Sequence, residues 1–459
     1  MRSILSLVTI TGLMVLGQSC KDPGPPEPEI EPVITNAFID PSVTYQEMIG
    51  FGGSLTWYSD RIITSPQKNQ ICQLLFEDLG TDMIRFKNNY YPMGYPAVKS
   101  TDVMENTSIK TLFTVTNELS TIARQLNPGI GIMVSSWTPP SSLKSNNNLR
   151  EGTLKKENGA FMYEAFAEYW NDVLEHLSFK PDYISIQNEP AWVTPDWETC
   201  EWRPTETGEF AGFANAFDAV YNKISTRPDP PKMLGPEAEN IGYSSKLGGN
   251  TFALFSDPVK NKPQLAAYAY HTYNFSASTP VSQTKENLNM IRDSYGNKPC
   301  IMTEYSNFTW LNTAWFIIQN INEANASGYL YWLMAWHNDS QEAMIKLSTS
   351  GAYSLTPFYY MMKHFSKEID RGYVRISVLS PFMPMSAFID PSGKKITVVA
   401  VNPNADEAWY DFEVIGKTVK SIRAWQTDAV SSYKEIEPVS SDQNIILKAK
   451  SVTTVVLEI

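Results

Sequence analysis

Two glutamates each close a short apolar run. Glu189 stands in PDYISIQNEP (Pro181–Pro190) and Glu304 in KPCIMTEYS (Lys298–Ser306). Both runs have the length and composition of a buried strand, and each ends on a polar tip with one carboxylate. Two carboxyl groups flanking one bond can divide the work of cleaving a glycoside. One, protonated, donates to the leaving oxygen; the other, ionised, attacks the anomeric carbon. Their closeness helps, because a neighbouring negative charge raises the pKa of the acid. A single Glu after a strand is ordinarily a solvated loop residue or a cap. The pairing of NEP with TEY on a later strand is the specific signal, and it points to retaining cleavage of a β-glycosidic bond.

Other residues at similar run ends fit around that pair. Asn188 is placed to hydrogen-bond a sugar hydroxyl beside the reacting carbon, and His271 or Tyr273 to orient the attacking carboxylate. Glu237, in GPEAEN, is a third carboxylate with a supporting hydrogen-bond or structural role, and Tyr305 directly follows Glu304. Trp57, Trp137 and Trp332 are expected to stack on sugar rings, whereas Trp197 and Trp202 anchor the loop after Glu189 and Trp170 sits on an amphipathic helix as core. The chain has only four His and four Cys, with no CxxC and no pair at metal-ligand spacing. Neither a metal nor a cofactor is expected.

These residues need a frame that brings distant run ends together. From 47 to 365, strand-like runs alternate with helix-compatible stretches such as NGAFMYEAFAEYWNDVLEHL (Asn158–Leu177). Eight such runs predict a (β/α)8 TIM barrel, with Glu189 and Glu304 on the fourth and seventh strands and the site at the C-terminal strand ends. A doubly wound sheet is the structural alternative, but GFGGS lacks the GxGxxG spacing. From 366 to 459 short strands alternate with turns such as DPSGK, which predicts an appended all-β sandwich domain; residues 34–46 are expected to join it.

The net charge of -12 excludes a nucleic-acid partner and fits an acidic protein acting on a polysaccharide. Residues 1–20 read as a signal segment: Arg2, then a short apolar run, then LGQSC. The run is too short to span a bilayer. It resembles a bacterial lipoprotein signal with lipidation at Cys20, which predicts export and attachment at a membrane or cell surface, with plain secretion as the alternative. Residues 21–33, rich in Pro and acidic side chains, form an extended tether.

The motifs together resemble glycoside hydrolase family 30. The resemblance runs from GFGGS near 51 to SVTTVVL ending at 457 and includes SSWTPPSSLKSNN, SIQNEP, WETCEW, GPEAE, MTEYS and HFSKEIDRGYVRI. It implies that Glu189 is the acid/base and Glu304 the nucleophile, and the first, third and last of the longer motifs look most like xylan-cleaving members. Glucuronoxylan-specific members carry an Arg after the eighth strand and a Tyr two residues past the nucleophile. Here His337–Lys346 contains no Arg and position 306 is Ser, which argues against a strict need for a glucuronate branch. β-1,6-Glucan, β-1,6-galactan or a glucosylceramide are alternative substrates by the same mechanism. A non-catalytic glycan-binding lipoprotein is the reading from another class, against which the two carboxylates speak.

Overall fold

The computed structural model describes residues 33–90, 114–439 and 444–459. The expected signal segment, Cys20 and the expected tether up to residue 32 lie outside the described residues.

Eight parallel strands close into a barrel: Gly50–Leu55, Met83–Lys87, Gly131–Ser135, Tyr183–Ser185, Lys232–Ala238, Leu265–His271, Cys300–Glu304 and Ala326–Tyr331. Their residues alternate between two apolar environments, as a strand period of two requires. Met83, Met133, Leu234, Ala267, Ala269, Ile301 and Leu330 fill the barrel interior. Ile84, Ile132, Ile184, Tyr268, Met302 and Tyr329 face the surrounding helices. Gly52 permits the first two strands to close up, because a Cβ there would stand 1.8 Å from the Met83 carbonyl oxygen.

The helices are built by familiar local rules. Tyr163–His176 buries Phe166, Tyr169, Trp170 and Val173, residues three or four apart or adjacent on one face. Trp310–Glu323 begins where the Thr309 hydroxyl oxygen accepts from the Asn312 amide, and Pro357–Ser366 begins on a Thr356 cap with Pro in the first turn.

The β region is one nine-stranded sheet folded over on itself. Its order is Lys434–Ile436, Ser421–Thr427, Ser451–Glu458, Lys395–Asn402, Met385–Ile389, Val374–Leu379, Ile34–Glu47, Ala408–Val414 and Ile445–Leu447. Ile34–Glu47 pairs antiparallel with Val374–Leu379 and parallel with Ala408–Val414. Residues from both ends of this order, such as Ala424 and Val455 with Tyr410, Phe412 and Leu447, share one buried cluster. The sheet therefore curls over its own core.

Barrel and sheet meet at a seam that includes paired polar groups. Arg375 donates to Gln46 Oε1 at 2.9 Å and Asn325 Oδ1 at 2.9 Å. His364 is sealed between Thr454 and Thr427, each hydroxyl 2.8 Å from one ring nitrogen. The Thr454 hydroxyl donates to the His364 carbonyl oxygen, so Nδ1 must be the donor to Thr454 and Nε2 accepts from Thr427. Burial, with Lys363 nearby, pushes this imidazole down to about 3.

Candidate active site

Arg85 is the hub of the barrel mouth. It lies third in the second strand, between inward Met83 and Lys87, and is fully buried. Its Nη1 donates to Glu304 Oε2 at 2.7 Å, its Nε to Glu237 Oε1 at 2.9 Å, and its Nη2 to Asn188 Oδ1. One guanidinium thus ties the seventh, fifth and fourth strands together.

Strict alternation would turn Glu304 outward, since Ile301 faces the interior and Met302 the helices. The register against the sixth strand instead advances from Tyr270↔Met302 to His271↔Glu304. The extra residue, Thr303, makes a bulge that re-aims Glu304 into the mouth. The same device acts at Glu237, which is skipped between Ala269↔Pro236 and Tyr270↔Ala238. Glu237 (φ 53°) and Glu189 (φ 49°) both adopt the left-handed backbone region that non-glycine residues avoid. Three carboxylates are therefore held inward by local departures from regular strand.

Glu304 is 5% exposed, and both of its oxygens are occupied: Arg85 on Oε2 and the Tyr273 hydroxyl on Oε1 at 2.9 Å. Burial pushes its carboxyl up from the usual range, opposed by His271, Arg85 and Tyr273. Glu189 Oε1 meets His271 Nδ1 at 3.0 Å. Its side chain keeps 12% exposure. His271 is fully buried, with Nε2 at 3.8 Å from Glu237 and 3.9 Å from Glu304. Both distances exceed hydrogen-bond length, so these contacts are Coulombic. Burial alone would discharge the ring, but Glu304, Glu189 and Glu237 outweigh it and raise the imidazole to about 9. Burial likewise opposes ionisation of Glu237, yet Arg85 and His271 hold that carboxyl at about 2.

Glu189, His271 and Glu304 bring one polar atom each within 4.8 Å of one another. A cation could use that spacing. Arg85 already supplies a positive charge to Glu304, however, and His271 supplies one to Glu189.

The structure sorts the other sequence candidates. Asn188 and Tyr273 reach the mouth through Arg85 and Glu304. Glu237 is fully buried beneath Arg85, which makes it a support for the guanidinium rather than a sugar contact. Tyr305 corrects the reading more sharply. It is fully buried, its hydroxyl donates to the Phe275 carbonyl at 2.9 Å, and its ring lies 5.1 Å from Phe316 on an outer helix. It packs behind Tyr273 and offers no face to a sugar. Nothing local in the sequence marks Arg85 as the hub. Glu239 was passed over, although it is 9% exposed and pushed up to about 7 by burial and by Glu189.

No family model matches the chain. The glucuronoxylanase XynC of Bacillus subtilis is 24% identical over 490 residues, covering 99% of this chain and 97% of its own. An endo-1,6-beta-D-glucanase of Neurospora crassa is 27% identical over 277 residues, covering 55% of this chain and 53% of its own. The catalytic domain of GH30 xylanase C from Talaromyces cellulolyticus shares the fold with a TM-score of 0.72 at 20% identity, over 92% of this chain and 100% of that one. The family that the chain resembles is glycoside hydrolase family 30.

Around this family 30-like mouth stands a cluster of tryptophans from four loops. Trp57 lies 5.5 Å from Trp336, 5.6 Å from Trp332, 6.3 Å from Trp197 and 6.4 Å from Trp137, ring to ring. Trp137 is 2% exposed and carries the Arg85 guanidinium 4.7 Å from its ring centre. Its companion Trp332 is partly open. Trp202 is fully buried, its indole donating to Gln187 Oε1 at 3.0 Å, and so anchors its loop.

Proposed function

We propose that the chain is a retaining β-glycanase in which Glu304 is the nucleophile and Glu189 the acid/base. The observation that carries this reading is the approach of the two carboxylates to within 4.8 Å. An approach that close leaves less room than the gap of about 6.5 to 9.5 Å that inverting enzymes keep for a water, and so favours the retaining arrangement. Their surroundings divide the roles. Glu304, gripped by Arg85 and Tyr273, is oriented as an anion. Glu189, held through one oxygen by His271, has the other oxygen for the leaving group.

In the first step Glu304 forms a bond to the anomeric carbon as the glycosidic C–O bond breaks, and the Glu189 proton goes to the leaving oxygen. In the second, Glu189 takes a proton from water, and the resulting hydroxide oxygen displaces Glu304. The favoured substrate is a β-1,4-xylan, supported by the near-full-length similarity to a glucuronoxylanase. The second reading is a β-1,6-glucan, supported by the Neurospora relative and by a solved endo-beta1,6-glucanase that shares the fold at TM-score 0.68. Hydrolysis of linear xylan, branched xylan and β-1,6-glucan, with product sizing, decides between them. Intact-mass labelling of the active polysaccharide's 2-fluoro disaccharide donor onto Glu304, absent in Glu304→Gln, tests the covalent step. No turnover of any of these polymers overturns the reading.

Export with a lipid on Cys20 belongs to the same proposal, resting on LGQSC. A solved structure with the same fold is a conserved exported protein from Bacteroides fragilis. Among the described residues no helix is long and apolar enough to cross a membrane. Metabolic labelling with a palmitate analogue should mark the chain and fail on Cys20→Ser.

A further inference from the structure

A groove of about 400 Å³ opens on the outside of the barrel, where helices Val281–Tyr295 and Trp310–Glu323 meet the turn at 380–384 of the curled sheet. Trp315 and Phe382 supply its aromatic walls, and Phe382 is 72% exposed. Gln319, also on the wall, is only 5% exposed, and its side-chain oxygen is buried without a hydrogen-bond partner. Buried polar atoms are nearly always paired, so an amide at the groove wall whose oxygen lacks a partner has a polar contact left over, which an outside group can meet once the amide turns. Lys285 and Glu323 on the same wall are paired with each other at 2.8 Å, so the lining carries no net charge.

This combination selects the ligand. An anionic ligand would require unpaired cations. The volume falls among small-ligand sites. A sugar ring offers what the walls lack: an apolar C–H face for the aromatics and hydroxyls, both donor and acceptor, for the Gln319 amide.

We propose that this groove is a second binding site for an uncharged stretch of the same β-glycan that the barrel mouth cleaves. The inference rests on the reading of the mouth as a glycanase. The groove would hold polymer on the enzyme and take no part in bond cleavage.

The test uses the full chain carrying Glu304→Gln, which binds without cleaving. Its mobility is measured in native gels containing soluble linear xylan or β-1,6-glucan, with and without Phe382→Ala. Short oligosaccharide is added to fill the mouth. Phe382→Ala should weaken the remaining retardation about fivefold, the effect of truncating one aromatic anchor. Gln319→Leu should act in the same direction. In the Glu304 background, Phe382→Ala should leave kcat/KM on a short chromogenic substrate within about twofold and slow release from insoluble polymer. Unchanged retardation in both variants overturns the groove while leaving the mouth intact. So does sedimentation of the wild-type chain as a dimer that Phe382→Ala dissociates. Absence of any polysaccharide hydrolysis removes the reading of the mouth, and the groove inference with it.

Discussion

His271 at the barrel mouth and His364 at the seam are both fully buried, yet they hold opposite charge states. His271 has three carboxylates around it and is raised to about 9. His364 has two threonine hydroxyls and is lowered to about 3. Burial is the same; the partners differ. At the seam each polar atom of the imidazole is satisfied by a neutral group, so the environment does one thing, which is to hold two units together. At the mouth, opposed charges are packed with buried oxygens left over, Glu237 Oε2 among them. Such an arrangement gains little for folding and much for chemistry.

The largest effect expected from breaking this contrast lies in the carboxylates. Glu304→Gln should lower kcat on the order of 10⁴-fold or more with the fold intact. Glu189→Ala should be comparably slow on polysaccharide but recover on aryl glycosides with good leaving groups when azide is added, since the acid is then not needed and azide replaces activated water. A Glu304→Gln variant with near-normal turnover would break the assignment. Next comes Arg85→Met. It leaves Glu237 and Glu304 buried without their cation, which should cost about 3 to 5 kcal/mol in denaturant melts as well as activity. No seam residue is expected to couple the two losses in this way.

The histidines themselves are separable by pH. The raised pKa of His271 contributes stability that is complete below its unfolded value of 6.5 and is lost as pH rises through about 9. The depressed pKa of His364 works in the other direction. Between about 3 and 6.5 the unfolded chain binds a proton that the native one refuses, so stability is lost as pH falls through that window. His271→Gln should flatten the alkaline limb of stability against pH and reduce activity. His364→Gln should flatten the acid limb and leave kcat unchanged. Identical pH slopes for the two variants would remove the distinction between the regions.

How much of this was readable in sequence follows from which interactions are local. Glu189 and Glu304 were legible because each closes an apolar run, and the alternation of runs gave the barrel. Tyr305 misled because adjacency in a strand is not adjacency in space. The residue after an inward glutamate points outward, here against Phe316. The bulges at Thr303 and Glu237 depend on register with a neighbouring strand and leave no mark on the run itself. Nothing local marks Arg85, since its three partners lie 103, 152 and 219 positions away. The curl of the β sheet was hidden for the same reason: it depends on Ile34–Glu47 bridging Val374–Leu379 and Ala408–Val414.

The smallest and cleanest comparison removes one hydroxyl from each region. Tyr273→Phe deletes the donor to Glu304 Oε1, a contact that matters most if charge on that carboxylate changes in the proposed attack. It should lower kcat about tenfold and shift the melting midpoint little, because the Tyr273 ring still packs against Tyr305 at 5.5 Å. Thr427→Val deletes the donor to His364 Nε2 and the acceptor for the Tyr433 amide. It strands a neutral imidazole nitrogen in a dry seam, which should cost about 1 to 3 kcal/mol and leave kcat where it was. Paired kinetics and denaturant melts on the two variants read both quantities at once. If Thr427→Val slowed turnover as much as Tyr273→Phe, the seam would be coupled to the mouth, and the contrast between the two histidines would be one of degree.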